Sequence, residues 1–344
     1  MCVQRIRPCP TIDEITGAEP LDAASRVAKE MRDRQLRDII LGRDRRFLVI
    51  IGPCSAHCED AVCEYVSRLA ALQERVADRL FLVPRIYTAK PRTSGLGYKG
   101  MLHQPSHRGG YDMSAGIRAA RRLHVRALAE SGLSGADELL YPAVFPYLSD
   151  LVSYVAVGAR SVENQEHRLA ASGLDVPVGM KNPLSGDLCV MADAIRAARH
   201  SHVYLQSGWE VLTGGNPLSH GILRGAMDRQ GRHIPNWGID YVGYAARLFE
   251  ERGISGTGVV IDASHSNSGK DYRQQPRIVL EAARQCRAHS AVRSMVRGVM
   301  VESFLVEGAQ EPTGDVFGKS ITDPCLGWED SERLILELAD VICV

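Results

Sequence analysis

Short runs of apolar, often β-branched residues recur along the chain, and longer stretches with apolar residues at helical spacing separate them. Such runs, bounded by Gly, Pro or polar residues, are typical of buried strands, and their alternation with helical stretches is typical of βα units in a parallel sheet. The pattern therefore predicts eight strands. They cover residues 47–52, 80–87, 138–144, 154–161, 176–182, 202–208, 258–265 and 297–303, and Pro142 interrupts the third.

The stretches between these runs predict eight helices, over residues 59–77, 114–131, 145–153, 162–172, 187–199, 239–253, 275–289 and 328–342. Eight strands alternating with eight helices indicate an α/β fold, a closed (β/α)₈ or TIM barrel. The stretch 208–236 is longer than a barrel loop requires. We therefore predict that the segment GILRGAM within it forms an added hairpin in the loop after the sixth strand.

An N-terminal arm, residues 1–45, precedes the barrel domain of residues 46–344 and contains a predicted helix over 23–41. Two interpretations of the arm are open. It is either an oligomer contact or regulatory element, or a helix that caps the barrel floor. We expect a homodimer or homotetramer.

Composition narrows the possible functions. The chain is 45% hydrophobic and 24% charged, and its 41 Lys and Arg residues equal its 41 Asp and Glu residues. A balanced charge provides no general attraction to nucleic acid or to an anionic membrane, so any phosphate recognition requires cations gathered locally. With no apolar run of transmembrane length and no signal-peptide pattern, the expected location is cytoplasmic.

Polar residues follow several of the predicted strands. In a (β/α)₈ barrel the active site lies at the carboxyl ends of the strands. Cys54, His265 and Glu302 follow or close the first, seventh and eighth strands, which are neighbours in a closed barrel, and Asp323 lies in the loop after the eighth. These four side chains form a candidate divalent metal site, and the mixture of thiol, imidazole and carboxylate suits Mn²⁺, Fe²⁺, Co²⁺ or Zn²⁺ better than Mg²⁺ or Ca²⁺.

Six cationic residues form a second group at the strand ends or in the adjacent loops. Cations gathered around one cleft require anionic ligands, because unpaired charges are costly in a partly dry site. A metal beside them can polarise a carbonyl group. The pattern indicates a pair of phosphorylated substrates, one of which also carries a carboxylate. The six residues are Arg85, Lys90, Arg92, Arg160, Lys181 and Arg224.

The chain resembles the type I 3-deoxy-D-arabino-heptulosonate 7-phosphate (DAHP) synthases of the microbial, feedback-regulated subgroup, from about residue 36 to residue 339. The motifs that carry the resemblance are IGPCS (51–55), KPRT (90–93), GAR (158–160), KN (181–182), LRG (223–225), DASHSNSGK (262–270), VMVESFLVEG (299–308) and GKSITDPCLGWED (318–330). The resemblance implies a (β/α)₈ barrel that condenses phosphoenolpyruvate with erythrose 4-phosphate to give DAHP and phosphate, the entry to the shikimate pathway.

The resemblance also implies roles for individual residues. It assigns Cys54, His265, Glu302 and Asp323 to the metal. We expect Lys90, Cys54 and His265 to take part in catalysis, with Lys90 as the proton donor to the new hydroxyl. The implied phosphoenolpyruvate site contains Arg85, Gly158, Ala159, Arg160, Lys181 and Arg224. The implied erythrose 4-phosphate site contains Lys90, Arg92 and Thr93.

Some segments depart from the family pattern, and alternatives follow from them. SGLGYKG (94–100) is one residue longer than usual, HRGGYDMSAG (107–116) replaces a more acidic segment, and the third strand and Asp175 differ near the effector region of regulated relatives. A paralogue that uses a different aldose phosphate in a specialised pathway is one alternative. A 3-deoxy-octulosonate 8-phosphate synthase and a catalytically inactive regulator are two others, and the KPRT motif and the retained site residues argue against them.

Overall fold

Eight parallel strands form the centre of the protein, in a computed structural model that describes residues 3–92 and 94–342. The order of hydrogen-bonded neighbours is second, first, eighth, seventh, sixth, fifth, fourth and third strand, and a bridge between Arg85 and Ala136 joins the two ends of the sheet. This confirms the predicted barrel. The strands span Phe47–Gly52, Leu80–Pro84, Ala136–Glu138, Tyr154–Val157, Val178–Lys181, Ser219–Leu223, Val259–Asp262 and Val296–Glu302.

Helices surround the barrel, so almost every strand residue is buried, as expected for parallel strands with both faces covered. Side chains alternate between the barrel interior and the helix layer. Leu48 and Ile50 belong to the inner cluster, whereas Val49 and Ile51 pack with the helices. The helices of this layer span Glu59–Val76, Met113–Ser131, Gln165–Ser172, Leu188–Ala198, Ile239–Glu251, Gln275–Ala288, Ser290–Met295 and Trp328–Val341.

The N-terminal arm contains two helices, Ile12–Ala18 and Ala23–Ile40. Leu36, Ile39 and Ile40 are at most 1% exposed and pack against the inner barrel cluster. The second helix therefore packs on the barrel floor, as the second interpretation of the arm expects, and an oligomer contact or regulatory role of the arm stays a prediction. In the first helix, Ile15 is fully buried against residues that lie close to the mouth of the barrel.

The predicted position of the sixth strand is wrong. Val203–Gln206 pairs with Trp209–Leu212 in an antiparallel hairpin outside the barrel, and the sixth barrel strand is Ser219–Leu223, inside the stretch predicted as an added hairpin. Both segments have the composition of a strand, but Ser207 and Gly208 have φ angles of +50° and +84°. Two successive positive φ angles are typical of a tight hairpin turn, so the Ser-Gly pair was the signal that marked the hairpin. A smaller hairpin, Ala226–Met227 with His233–Ile234, does follow the true sixth strand.

The third βα unit also differs from its prediction. The strand Ala136–Glu138 begins two residues before the predicted strand 138–144. Pro142–Tyr147 forms a 3₁₀ helix, where the sequence predicted the end of strand 138–144 and the start of a helix over 145–153. Pro142 ends the strand because it cannot donate a ladder hydrogen bond, and it suits the first turn of a helix. Glu138 is therefore the last residue of the strand, and its side chain reaches the barrel mouth.

In residues 3–92 and 94–342, no helix is long and apolar enough to cross a membrane.

Gly298 provides a test of barrel packing. It pairs with Leu48, and a Cβ atom at Gly298 would lie 2.0 Å from the Leu48 carbonyl oxygen. We expect Gly298→Ala to lower the free energy of unfolding by about 1–3 kcal/mol, because the first and eighth strands must separate. Urea denaturation of both proteins measures the difference.

The matched control is Gly243→Ala in the helix Ile239–Glu251, where the nearest atom to an added Cβ lies 3.9 Å away. This change should raise stability by about 0.5–1 kcal/mol, because Ala favours the helix over Gly. Equal stability of Gly298→Ala and wild type would contradict the close approach of the two strands.

Candidate active site

A cavity of about 500 Å³ opens at the carboxyl ends of the barrel strands. The six cations predicted from the sequence, Arg85, Lys90, Arg92, Arg160, Lys181 and Arg224, all line it. Lys270 adds a seventh cation, and the carboxylates that line the cavity in the described residues are Glu138, Glu302 and Asp323. The cavity is therefore positively charged within a chain of zero net charge, as a site for anions requires.

Three of the four predicted metal ligands, His265, Glu302 and Asp323, line this cavity, and Cys54 is buried behind Asp323, so the four lie in two pairs. Cys54 Sγ is 3.1 Å from Asp323 Oδ2, and His265 Nε2 is 3.9 Å from Glu302 Oε1. Lys90 Nζ lies 2.6 Å from Cys54 Sγ and 2.7 Å from Asp323 Oδ2. Within the described ranges, no three His, Cys, Asp or Glu side chains converge closely enough to hold a metal ion. In this arrangement the Lys90 ammonium group supplies the positive charge between the Cys54 thiol and the Asp323 carboxylate.

Glu302 is held as a buried carboxylate. Arg85 Nη1 lies 2.9 Å from Glu302 Oε1, both side chains are at most 3% exposed, and the Ser264 hydroxyl donates to Glu302 Oε2 at 2.8 Å. Burial by itself raises the pKa of Glu302, but the charges of Arg85, His265 and Lys90 outweigh burial and hold it at about 2. Glu302 Oε1 nevertheless has no hydrogen bond of good geometry. A buried oxygen of this kind remains free to accept from, or coordinate, a ligand.

His265 lies on a strained segment of backbone. Its φ is +54°, a left-handed conformation that is uncommon for residues other than Gly. Its Nδ1 atom is 3.0 Å from Asp262 Oδ2, which also accepts a hydrogen bond from Lys181 Nζ at 3.0 Å. Burial lowers the pKa of His265, so the imidazole is favoured in its neutral form, the form that coordinates metals. Asn267 donates to the carbonyl oxygens of Leu223 and Asp262 and fixes this loop against the sixth and seventh strands.

Gly158, Ala159, Arg160, Lys181 and Arg224 line another part of the cavity. A Cβ atom at Gly158 would lie 2.3 Å from Glu138 Oε1, so a larger residue would displace this carboxylate. Arg224 is only 6% exposed, its backbone N–H donates to Asn182 Oδ1 at 2.9 Å, and its Nη1 atom has no hydrogen-bond partner. Burial lowers the pKa of Arg224. A buried guanidinium with a free donor indicates a place for an anionic group.

The segment after the second strand forms the edge of the cavity. Lys90 is partly buried at its contact with Cys54 and Asp323, and Arg92 Nε donates to the Tyr98 carbonyl oxygen at 2.8 Å. Ser94 and Leu96, in the longer segment 94–100, also line the cavity. Thr93, the third residue predicted for the acceptor, lies outside the described residues.

Sequence reasoning missed Glu138 and Lys270 as cavity residues. Glu138 was missed because the third strand was predicted to begin at residue 138. Glu138 is the last residue of the observed strand, at the end that faces the cavity. Burial raises the pKa of Glu138, in spite of the nearby charges of Lys181 and Lys90. Lys270 ends the DASHSNSGK motif with φ +65°, and the left-handed turn that begins at the preceding Gly269 was the available signal.

A barrel enzyme that handles anionic substrates beside a cluster of acidic, thiol and imidazole groups is the class of protein that this fold and site define. The chain belongs to the DAHP synthetase I family, whose model matches residues 21–336. This confirms the family predicted from the sequence.

Individual relatives agree with this assignment. A Trp-sensitive phospho-2-dehydro-3-deoxyheptonate aldolase of Enterobacter agglomerans is 42% identical over 317 residues, which cover 90% of this chain and 88% of that protein. A Tyr-sensitive phospho-2-dehydro-3-deoxyheptonate aldolase of Salmonella typhimurium is 39% identical over 337 residues, 95% and 91% of the two chains. The solved structure of a phospho-2-dehydro-3-deoxyheptonate aldolase from Francisella tularensis SCHU S4 superposes with a TM-score of 0.91 at 31% identity, covering 99% of this chain and 98% of that one.

Arg224 provides a test of the anion site. We expect Arg224→Gln to weaken the binding of phosphoglycolate, a small phosphorylated carboxylate, by about tenfold, because a charge-assisted hydrogen bond contributes about 1.5–3 kcal/mol. Isothermal titration calorimetry measures the change. The control is Arg196→Gln on the outer face of the helix Leu188–Ala198, where the side chain is exposed. Equal affinity of wild type and Arg224→Gln would show that this arginine takes no part in anion binding.

Proposed function

We propose that this chain is a metal-dependent 3-deoxy-7-phosphoheptulonate synthase that condenses phosphoenolpyruvate with erythrose 4-phosphate. The observation that carries the proposal is the convergence of the six predicted cations on one cavity beside Cys54, His265, Glu302 and Asp323. Two phosphate esters, one with a carboxylate, match that excess of positive charge. The family and the names of the relatives support the same reaction.

In this proposal phosphoenolpyruvate occupies the inner part of the cavity. Its phosphate lies beside the Gly158-Ala159 backbone and is bound by Arg160, Lys181 and Arg224. Arg85 extends this site toward Glu302. Arginine recognises phosphate and carboxylate oxygens through paired donors, so these side chains would orient the substrate as well as neutralise it.

Erythrose 4-phosphate would bind at the segment after the second strand, with Arg92 at its phosphate and Lys90 near its aldehyde end. Burial lowers the pKa of Lys90, but the neighbouring Cys54 and Asp323 outweigh burial and raise it above its usual value. The amine is therefore protonated at neutral pH, as a proton donor must be. Holding both polyanions within reacting distance is a large part of the rate enhancement that the cations provide.

The donor set is chemically suited to a divalent metal of the Mn²⁺, Fe²⁺, Co²⁺ or Zn²⁺ group, with Cys54, His265, Glu302 and Asp323 as its ligands. Glu302 Oε1 lacks a hydrogen bond and the His265 imidazole is favoured in its neutral form, so both have lone pairs to offer. Burial, with the Glu302 charge, raises the pKa of the Cys54 thiol to about 12, so metal binding must displace a proton from it. When bound, such a metal acts as a Lewis acid on the aldehyde oxygen.

The protein's own groups then have defined roles in the condensation. C3 of phosphoenolpyruvate attacks the aldehyde carbon, and Lys90 donates a proton to the oxygen that becomes the new hydroxyl. Water adds at C2, and one of its protons replaces the proton that Lys90 donated. The bond between C2 and the phosphate oxygen then breaks, C2 becomes a ketone, and the second proton of the water leaves with inorganic phosphate. Lys181 and Arg160 would balance the charge of the departing phosphate.

The test follows the loss of the phosphoenolpyruvate enol absorbance with erythrose 4-phosphate, arabinose 5-phosphate and other aldose phosphates. We expect phosphoenolpyruvate to be consumed with erythrose 4-phosphate, and this activity to be lost after the metal is removed by a chelator. Turnover only with a different aldose phosphate would overturn the assignment of erythrose 4-phosphate as the acceptor. Activity with arabinose 5-phosphate alone would favour the octulosonate alternative.

Cys54→Ala tests the metal site in the same assay. We expect metal-dependent turnover to fall to background, because the thiol is one of four proposed ligands. The control is Cys189→Ala, on the outer helix Leu188–Ala198, where Sγ contacts the Tyr244 hydroxyl at 3.6 Å. Full activity of Cys54→Ala, or activity that survives complete removal of metal, would contradict the ligand assignment.

A homodimer or homotetramer is also part of the proposal, and the hairpin Val203–Gln206 with Trp209–Leu212 supports it. Leu205, Trp209 and Leu212 are each 74–76% exposed on an isolated two-stranded ribbon. A ribbon of this size is marginal without further packing, and exposed apolar groups of this size are typical of an interaction surface. The cytoplasmic location remains a prediction from the sequence.

Leu205→Lys together with Trp209→Lys should lower the sedimentation coefficient to that of a smaller species, because charges would then face each other across the contact. Val316→Lys, a change at a residue 50% exposed in the loop after the eighth strand, is the control. Analytical ultracentrifugation measures both. A wild-type protein that sediments as a monomer would contradict the oligomer.

A further inference from the structure

The loop that carries Lys90 and Arg92 is closed at its base by Thr88. The Leu102 backbone N–H donates to the Thr88 carbonyl oxygen at 3.0 Å, and the Lys90 N–H donates to the Lys99 carbonyl oxygen at 3.0 Å. Thr88 itself is 2% exposed. The position of Lys90, two residues further on, therefore depends on what holds Thr88.

Asp137 holds Thr88 through both of its carboxylate oxygens. Oδ1 accepts from the Thr88 N–H at 2.9 Å and from the Glu138 N–H at 2.7 Å, and Oδ2 accepts from the Thr88 hydroxyl at 2.6 Å. His124 Nε2 lies 3.4 Å from Oδ2, and Asp137 and His124 are 4% and 2% exposed. One buried carboxylate thus links the loop base, the end of the third strand and the helix Met113–Ser131.

This link lies at the seam of the barrel. The second and third strands meet at one bridge, Arg85 with Ala136, and the Ile86 N–H donates to the Ala136 carbonyl oxygen at 2.8 Å. The third strand is three residues long and cannot extend that ladder further toward the mouth. The Asp137 side chain supplies there the hydrogen bonds that a longer strand would make through its backbone.

We propose that Asp137 is a positioning residue for the condensation, acting through Thr88 on Lys90 and Arg92. The inference rests on the proposed function for its kinetic consequence. Arg160 and Arg224 follow the fourth and sixth strands, and Asn182 accepts from the Arg224 backbone N–H, so these two residues of the phosphoenolpyruvate end are held without Asp137. Loss of Asp137 should therefore act mainly on the acceptor.

The kinetic experiment uses the metal-loaded enzyme and compares Asp137→Ala, Asp137→Asn and Thr88→Val. In Asp137→Ala, we expect KM for erythrose 4-phosphate to rise about tenfold or more and kcat to fall, because small displacements of reacting groups slow the reaction strongly. We expect KM for phosphoenolpyruvate to stay within about twofold of the wild-type value. Asn keeps an oxygen for the two backbone donors, and its amide nitrogen can donate to the Thr88 hydroxyl. Asp137→Asn should therefore restore the acceptor KM to within about threefold of wild type.

Hydrogen–deuterium exchange provides a second readout that requires no substrate. Asp137→Ala should exchange faster over residues 88–102, because the base of the loop opens. The matched control is Asp44→Ala, which removes a partly buried carboxylate that pairs with Arg46 ahead of the first strand. The control should leave both the exchange of residues 88–102 and the acceptor KM unchanged.

These readouts separate the two ideas. A wild-type enzyme that does not consume phosphoenolpyruvate with erythrose 4-phosphate would overturn the proposed function, whereas unchanged exchange over residues 88–102 in Asp137→Ala would overturn the positioning role. Equal increases of both KM values, without rescue by Asn, would also overturn it. If Asp137→Ala does not fold, Thr88→Val provides the test, because it keeps the backbone hydrogen bond to Asp137 and removes only the hydroxyl. Faster exchange over residues 88–102 and a raised KM for erythrose 4-phosphate in Thr88→Val support the positioning role. Wild-type values of both overturn it.

Discussion

The buried ion pair between Arg85 and Glu302 connects the second and eighth strands across the first, and the site depends on it. Each side chain would be costly to bury without the other, because an isolated charge loses far more hydration than the interior returns. Arg85 also donates to the Cys54 carbonyl oxygen at 3.3 Å, so the same guanidinium is tied to the turn that carries the thiol. The closed barrel brings these three strands together, and the pair in turn keeps Glu302 ionised.

Other buried charges of the site are also paired with opposite charges, with one exception. Lys181 is paired with Asp262, and Lys90 with Asp323 and the Cys54 thiol, while Arg224 keeps a free donor in a buried position. The cavity therefore contains both cations that are paired with protein anions and cations that are not. An anionic substrate would neutralise the unpaired cations. The strained backbone at His265 is also typical of a functional site, where proteins retain local strain.

Much of this was readable from the sequence, for a physical reason. Strand and helix periods are local properties, so most predicted helices match the structure within about three residues, as with the helix Glu59–Val76. The carboxyl ends of parallel strands converge in any barrel, so locating Arg85, Lys181 and Glu302 at strand ends was sufficient to place them in one cavity. The family motifs added the assignment of a reaction, which periodicity cannot supply.

Tertiary structure alone decided the rest. Segments 202–208 and 219–223 both have strand composition, and which of them enters the barrel depends on partners far away in the chain, such as Val178 and Val259. His220 lies within the true sixth strand, and only the fold shows that the Tyr154 hydroxyl pairs with this buried imidazole at 2.7 Å. The hydrogen bonds of Asp137 to Thr88 likewise join residues 49 apart. The sequence by itself determined most strands and helices and the polar residues at their ends, because both are local properties. Strand pairing, burial and the hydrogen bonds that hold the acceptor loop depend on residues far apart in the chain, so only the assembled barrel determines them.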